Sequence, residues 1–498
     1  MQDCRIGLRN RGICVVIPVF NNEATIVDVV RRTLDYCLDV FVVADGCTDG
    51  TLAQLDSVKD EVRLVVLPRN GGKGKALKAG FRAALDAGFA YAITLDADGQ
   101  HYPEDIPAML EANRANPGAI IVGCRSGLKD AARSAGSSFA NSFSNFWFFV
   151  QTLRRLKDTQ SGYRLYPLRK LKGLCLLTSR YEAELELLVF ASWHGVKIVN
   201  SDVRVYYPPE GERVSHFRPF RDFARISLLN TVLCLLALVY GLPLTLIRTI
   251  GRALLTWTGV LLYVLSMLLV VMPVAFCILR IGKKEKREAR LHSLICSWTG
   301  FARRCSSLLG LRWKRVENAP LDFSRPAVII CNHQSHLDLL AMLSLSPRLV
   351  ILTNNWVWNH PLYGFIIRRA DFLPASEGME KLTPRLKEIF EKGYSIVIYP
   401  EGTRSRDRSI GRFRQGAFRL AVKLGADILP MVMYGSGIAL PKHGRVLRPY
   451  TVQLEADARI SPAELASHGE NHIKRAAYMR DYYRRRYAET ADRLEQVL

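Results

Sequence analysis

Paired cysteines are missing from this chain. Eleven cysteines are scattered singly along 498 residues. No CxxC and no Cys/His ligand spacing occurs among them, so neither a disulfide framework nor a zinc site is indicated, and a reduced compartment fits. Acidic residues are also short: 46 Asp and Glu face 69 Lys and Arg, a formal net charge of +23. That excess favours anionic partners such as lipid headgroups, phosphorylated substrates or nucleic acid. A solvated basic surface is the plainer alternative. No nucleic-acid recognition motif accompanies the charge, so nucleic acid is not an expected partner. There is no internal repeat and no low-complexity tract. With 49% apolar and 23% charged residues, the chain is too rich in hydrophobes for disorder. No secretory signal is expected, because Met1 to Arg11 is polar and the apolar run Ile13 to Phe20 is short.

What is present is an α/β pattern at both ends and an apolar stretch between them. Ile13 to Val19, Val40 to Ala44, Val62 to Leu67 and Tyr91 to Leu95 read as strands, with helical spacing from Glu23 to Leu34. Continuous apolar strands alternating with helices predict a parallel sheet covered on both faces. Ligand residues in such sheets lie beyond the carboxyl ends of strands. Asp45 and Asp96 both stand there. In the middle, 228–247 and 253–279 are uncharged runs separated by Arg248-Thr249-Ile250-Gly251-Arg252. Each is long enough to cross a bilayer, and the outer flanks are the more basic, which predicts a transmembrane helical hairpin. A pair of buried core helices is the alternative, and interfacial packing of the first run is another. Leu291 to Leu311 could lie on the membrane as an amphipathic helix. Strand signals return at 327–331, 349–353, 395–399 and 427–434, and a basic helical tail runs from Asn471 to Leu498.

In the first half, Asp96-Ala97-Asp98-Gly99-Gln100 is a strand-end carboxylate pair that could share a cation. Alone it is a weak signal. It occurs with Val19-Phe20-Asn21-Asn22-Glu23, with Asp45-Gly46-Cys47-Thr48-Asp49-Gly50, and with the Gly-Lys turn Asn70 to Ala76, suited to phosphate contact by N–H and ammonium groups. In this order the motifs resemble family 2 glycosyltransferases of the dolichol-phosphate mannosyltransferase-like branch, over roughly residues 12 to 220. The resemblance implies a GT-A fold, a nucleotide-diphospho-sugar donor and a Mg²⁺ or Mn²⁺ cofactor. It implies that Pro18, Phe20, Glu23, Asp45, Lys73 and Asp96 meet the nucleotide-sugar. Asp96, Asp98 and Gln100 would hold the metal. Arg125, in Gly123-Cys124-Arg125, and Arg164, in Asp158 to Arg164, would meet the acceptor, with Asp158 a candidate general base. Ser215-His216-Phe217 stands where the family closes a loop over the nucleotide; a plain linker is the alternative. Ala44 departs from relatives that carry a second aspartate there.

In the second half, Asn332-His333-Gln334-Ser335-His336-Leu337-Asp338 follows a strand signal, and Pro400-Glu401-Gly402-Thr403-Arg404-Ser405 comes about 60 residues later. A His and an Asp five positions apart at a helix entry can face one another, the Asp fixing the tautomer of a general base. The pairing resembles the lysophosphatidic acid acyltransferase family, over roughly residues 290 to 460. By that resemblance His333 and Asp338 are catalytic, and Glu401, Gly402, Thr403 and Arg404 bind the acceptor. His336 is expected to be a structural neighbour. The family's Phe-Ile-Asp-Arg block reads Phe372-Leu373-Pro374-Ala375 here, which removes a phosphate-binding arginine and disfavours a glycerol-phosphate acceptor.

Three domains are expected: a glycosyltransferase over 1–220, a membrane segment over 221–289 and an acyltransferase over 290–498. The expected function is a bifunctional membrane transferase of glycolipid or polyene-lipid synthesis. Its partners would be acyl-CoA or acyl carrier protein, a lipid or alcohol acceptor and anionic membrane lipid. The expected location is the bacterial inner membrane, multi-pass, with both halves cytoplasmic. One alternative is a polyprenyl-phosphate glycosyltransferase fused to an independent phospholipid acyltransferase. Another is a membrane assembly protein with one inactive half.

Overall fold

The computed structural model describes residues 2–125, 135–206 and 219–497, so the Ser215-His216-Phe217 motif lies outside the described residues. The chain divides into two compact units, Met1–Arg248 with Asp492–Leu498, and Thr249–Ala491.

The first unit is built on a seven-stranded sheet in the order β3-β2-β1-β4-β6-β5-β7. Its strands are β1 (Ile13–Val19), β2 (Val40–Asp45), β3 (Arg63–Leu67), β4 (Tyr91–Thr94), β5 (Ile120–Cys124), β6 (Arg164–Pro167) and β7 (Ile198–Asp202). β1 to β4 are mutually parallel, as expected. β6 runs antiparallel between β4 and β5. Alternate residues of β1 feed opposite cores. Ile13, Val15 and Ile17 pack on one face, and Cys14 and Val16 on the other. Burial on both faces is why these strands read as unbroken apolar runs.

The second unit carries another seven-stranded sheet, in the order β11-β10-β12-β9-β13-β14-β8. Its strands are β8 (Leu311–Glu317), β9 (Val328–Cys331), β10 (Leu349–Thr353), β11 (Leu373–Pro374), β12 (Ser395–Ile398), β13 (Ile428–Tyr434) and β14 (Tyr450–Ala456). The four strands expected from the sequence are central; β8, β11 and β14 were not anticipated. β8 hides because its burial alternates weakly and its residues, Leu-Arg-Trp-Lys-Arg-Val-Glu, are mostly charged. Pairing with β14 over seven residues places it.

The apolar middle is a correction. Instead of a hairpin there is one continuous helix, Ala224–Arg280, of 57 residues. It is the one helix among the described residues long and apolar enough to cross a membrane, and 17% of its most apolar window is buried. Arg248 to Arg252 falls inside the α-helical stretch Leu242–Ser266. Two prolines are absorbed within the continuous helix. Pro243 and Pro273 each follow a π-helical turn, Ala237–Gly241 and Met267–Val271. The wider turn relieves the clash of each ring with the preceding carbonyls, so the helix continues. The segment expected to lie on the membrane, 291–311, is a helix over Lys284–Cys305, with Leu291, His292, Ile295 and Thr299 buried. Leu291 and Ile295 join the core of the second unit rather than facing lipid.

Candidate active sites

In the first unit the site grows from the ends of β2 and β4. Asp45 closes β2 and is buried. Its two carboxylate oxygens accept from the N–H groups of Gly71 and Gly72, at 2.9 and 2.7 Å. The chain leaves β2 through Gly46 at φ +65°, where a Cβ would lie 2.4 Å from the backbone of Arg69. Asp45 therefore fastens the Gly-Lys turn. Several of that turn's N–H groups are already engaged. Two donate to Asp45, and the N–H of Lys75 donates to Ser179 O at 2.9 Å.

Asp96 follows β4 directly. The Lys73 ammonium, at the start of the helix Lys73–Asp86, sits 2.6 Å from Asp96 and 2.9 Å from Glu184. Burial alone would lower the Lys73 pKa, but the two carboxylates outweigh it and raise it. Burial pushes Asp96 up, and Lys73 more than offsets this, leaving it below the usual carboxylate range. Asp98 is raised, first by burial and then by the charge of Asp96. One Asp98 oxygen accepts from Gln100 N–H at 3.0 Å. The nearby Gly162 is needed, since a Cβ there would lie 2.5 Å from Asp96 Oδ2. His101, buried, lies 3.8 Å from Asp96 through Nδ1. Sequence reasoning missed His101 and Glu184. The first was legible as the neighbour of Gln100, whereas the second is distant in sequence and carries no signal.

Among the described residues no three His, Cys, Asp or Glu side chains gather as a metal would need. The chemistry of Asp96, Asp98 and the Gln100 amide nonetheless suits a hard cation. Mutual repulsion already raises Asp98, and a cation would relieve it.

Pro18 and Phe20, at and just after the end of β1, are partly buried, and Glu23 accepts from Gly50 N–H at 2.8 Å. Arg125 forms a two-pronged pair with Asp158, at 2.5 and 2.9 Å. Asp158 is 1% exposed, and although burial opposes it, the Arg125 guanidinium holds its carboxyl below the usual range. The Arg125 guanidinium thus neutralises and orients this carboxylate, the one expected as a general base. Arg164 is held from within the protein. It is 1% exposed, and its guanidinium donates to Ser161 O, Thr159 O, Glu184 O and Tyr166 Oη at 2.7–3.0 Å. It braces the loop behind the site.

In the second unit β9 delivers the catalytic turn. Asn332 is buried and exchanges two hydrogen bonds with the backbone of Met433 in β13, at 2.9 and 2.7 Å. His333 Nδ1 then lies 2.8 Å from Asp338 Oδ2. The same oxygen accepts from the N–H groups of Gln334 and Ser335, at 2.7 and 2.9 Å, so the carboxylate is fixed before it meets the ring. The imidazole lies against Tyr399, ring centres 4.3 Å apart. Glu401 is buried and bridges the loop: Oε1 accepts from His333 N–H at 2.9 Å and Oε2 from Gly411 N–H at 3.0 Å. Burial raises its pKa. Gly402, at φ +70°, lies under Arg414, whose Cζ would be 2.7 Å from a Cβ there.

Lys442 ties the rest of the motif. Its ammonium reaches Thr403 Oγ1 at 3.0 Å and Arg404 O at 2.8 Å, and Arg404 Nη1 donates to Lys442 O at 3.2 Å. Sequence reasoning missed Lys442 and two tyrosines of the tail helix. Tyr487 reaches Gln334 at 3.3 Å, and Met431 N–H donates to Tyr483 Oη at 3.1 Å. His336 is exposed beside Trp356.

Residues 14–164 match the family model of glycosyl transferase family 2, and residues 311–434 that of the acyltransferases. A chloroplastic 1-acyl-sn-glycerol-3-phosphate acyltransferase of Arabidopsis thaliana is 32% identical over 134 residues, 25% of this chain and 36% of that protein. Glycosyltransferase AglJ of Haloferax volcanii is 25% identical over 212 residues, 42% of this chain and 68% of that protein. The chain spans little more than a third of the first acyltransferase relatives, 36% and 38%. Among solved structures, the acyltransferase PlsC of Thermotoga maritima aligns with 49% of this chain and 97% of its own, at 21% identity and TM-score 0.42. Glucosyl-3-phosphoglycerate synthase of Mycobacterium tuberculosis, with Mn²⁺ and UDP, aligns with 47% and 83%, at 19% identity and TM-score 0.36.

Proposed function

We propose that this transferase, which joins a family 2 glycosyltransferase segment to an acyltransferase segment, moves a sugar with one unit and an acyl group with the other in making a glycosylated, acylated lipid. The observation that carries the reading is the assembled His333–Asp338 pair, at 2.8 Å, on a chain whose other unit sets Asp96 and Asp98 at a strand end. With Nδ1 held by Asp338, Nε2 of His333 is the nitrogen that takes the acceptor's hydroxyl proton. The acceptor oxygen bonds to the acyl carbon, the carbon–sulfur bond breaks, and the proton passes from the imidazole to the leaving thiolate. In the first unit Asp96, Asp98 and Gln100 would hold Mg²⁺ or Mn²⁺, which neutralises a diphosphate leaving group. Asp45 fastens the turn ahead of Lys73, Lys73 pairs with Asp96, and Arg125, oriented by Asp158, stands for the acceptor.

An acceptor other than lysophosphatidic acid is favoured because Pro374 and Ala375 offer no charge, while Arg404 stands beside Glu401 and is pinned to Lys442. The curated acyltransferase relatives favour the second reading, an independent phospholipid acyltransferase. Purified full-length protein, given one acyl thioester with lysophosphatidic acid and a glycosylated alcohol side by side, separates them. Preferential acylation of the glycosylated alcohol supports the fused pathway; acylation of lysophosphatidic acid alone overturns it.

Membrane attachment is part of the proposal, along the bilayer surface rather than across it. The 57-residue helix is about 86 Å long, and a hydrocarbon core is about 30 Å thick. In the first unit Leu233 and Ala237 pack inward while Leu238 and Val239 stay exposed. In the second, Met267, Val271 and Ala275 pack inward while Leu269 and Val270 stay exposed. Within each unit, one face for protein and one for lipid is the pattern of a helix lying in the bilayer interface. Both catalytic units then lie on the cytoplasmic side, and reporter fusions at the two termini should show the same sidedness.

A further inference from the structure

We propose that a cationic cavity in the second unit holds the phosphorylated end of a pantetheine-linked acyl donor, an inference that rests on the acyl-transfer reading. The cavity measures about 660 Å³ and is lined by the first turns of the helices Met379–Glu391 and Gly416–Leu424. These turns meet closely: a Cβ on Gly416 would lie 2.7 Å from Met379 Cγ. The partial positive ends of two helices therefore share one hollow. Lys381, Arg412, Arg414 and Arg419 stand on its wall. Among the described residues none of these four cations is ion-paired; Arg419 donates to Gln415 at 3.1 Å. Glu377 and Glu380 also line the cavity, which leaves four cations against two carboxylates. Uncompensated cations around a concave surface recognise a multiply charged anion.

The connection to the chemistry favours a donor over an acceptor. Gly411, the neighbour of Arg412, donates to Glu401, and the other oxygen of that carboxylate accepts from His333. Arg414 N–H donates to Pro400 O at 2.8 Å, and its guanidinium covers Gly402. The cavity wall is thus hydrogen-bonded to the turn that positions the imidazole, without containing it. The acceptor hydroxyl must meet His333 itself. The donor must present a thioester there while its phosphate sits farther off, at the other end of a flexible arm. Coenzyme A and acyl carrier protein share that phosphorylated pantetheine arm.

Titrate the full-length protein in detergent with coenzyme A and with pantetheine, which has the arm and thiol but no phosphate. Coenzyme A should bind at least about tenfold more tightly, a difference of about 1.4 kcal/mol. Arg419→Ser should erase that preference. Lys423→Ser, which removes one charge from the same helix outside the cavity, should keep it. Equal binding of the two ligands by the wild type, or an unchanged preference in Arg419→Ser, overturns the inference. The source of the arm is read by competition. Displacement of coenzyme A by holo but not apo carrier protein supports a carrier-protein donor, and no displacement by either supports free coenzyme A. If neither acyl thioester is turned over, the acyl-transfer reading fails, while a preference lost in Arg419→Ser still supports the phosphate site.

Discussion

At His333 the reaction depends on which nitrogen is left for the substrate. Asp338 holds Nδ1 and is itself held by two backbone N–H groups, so turning the ring over would break its bond to a fixed carboxylate. His333→Ala should lower acyl transfer on the order of 10²–10⁴-fold, the usual range for a positioned base. Its thermal midpoint should stay near wild type, because the imidazole stands on a turn and not in the core. An acyl-transfer rate within a few fold of wild type would remove His333 from the mechanism. In the first unit the matching change is Asp98→Asn. It keeps the side chain's shape and one acceptor oxygen for Gln100 N–H, but removes the charge that Asp96 already strains. Sugar transfer should fall on the order of 10²–10³-fold, the size of losing one positioned electrostatic group. Acyl transfer by the same preparation should persist. Full sugar transfer in excess chelator would refute the metal role independently of the variant.

Single elements carry their own tests. The helix Lys284–Cys305 buries His292 between Phe372 and Tyr394, at ring separations of 5.7 and 4.6 Å. Burial lowers its pKa from 6.5 to about 4. The folded state thus favours the neutral ring. Its stabilising contribution is complete above the unfolded value near 6.5 and is lost as pH falls from there towards 4. The wild type should lose up to about 3 kcal/mol across that window from this group. His292→Phe should flatten the dependence, which melting midpoints between pH 7 and pH 4 would show. An unchanged slope would locate the acid sensitivity elsewhere. The long apolar helix teaches a different point. Two uncharged runs and basic outer flanks predicted two spans with a turn, yet one helix runs through, with π-helical turns ahead of Pro243 and Pro273. Hydropathy was legible, but the backbone's freedom to widen a turn was not.

At the scale of the whole molecule, the last seven residues belong with the first unit although they continue the tail helix His472–Val497. Arg11 is fully buried and pairs with Asp492 at 2.8 Å; Arg114 meets the other oxygen at 3.2 Å. Tyr91, at the start of β4, donates to buried Glu495 at 2.8 Å. Asp492→Ala removes the carboxylate that buried Arg11 and Arg114 share, a change expected to cost up to about 3–5 kcal/mol. Limited proteolysis should then open the region around β1 first, and sugar transfer should fall more than acyl transfer. Equal protease resistance in wild type and variant would show that the pair is dispensable. A fragment ending at residue 248 should be unstable for the same reason, so the glycosyltransferase unit cannot be isolated by a simple cut.

The sequence by itself determined the two α/β halves, the four parallel strands of each central sheet region and the motif turns. Asp96, Asp98, His333, Asp338 and Glu401 stand at the ends of apolar strands, where short-range pattern and position coincide. Only the tertiary structure decided what each side chain faces. Arg164 donates to the loop carbonyls of Ser161 and Thr159, and Asp158 accepts from the Arg125 guanidinium, partners that no local pattern announces. Glu184, Lys442, Tyr483 and Tyr487 come to the sites from far along the chain. Asp492 likewise crosses 481 positions to reach Arg11. Strand periodicity is a local property, set by neighbours two residues apart. The partner of a buried charge is set by packing, which brings together residues that no local pattern connects.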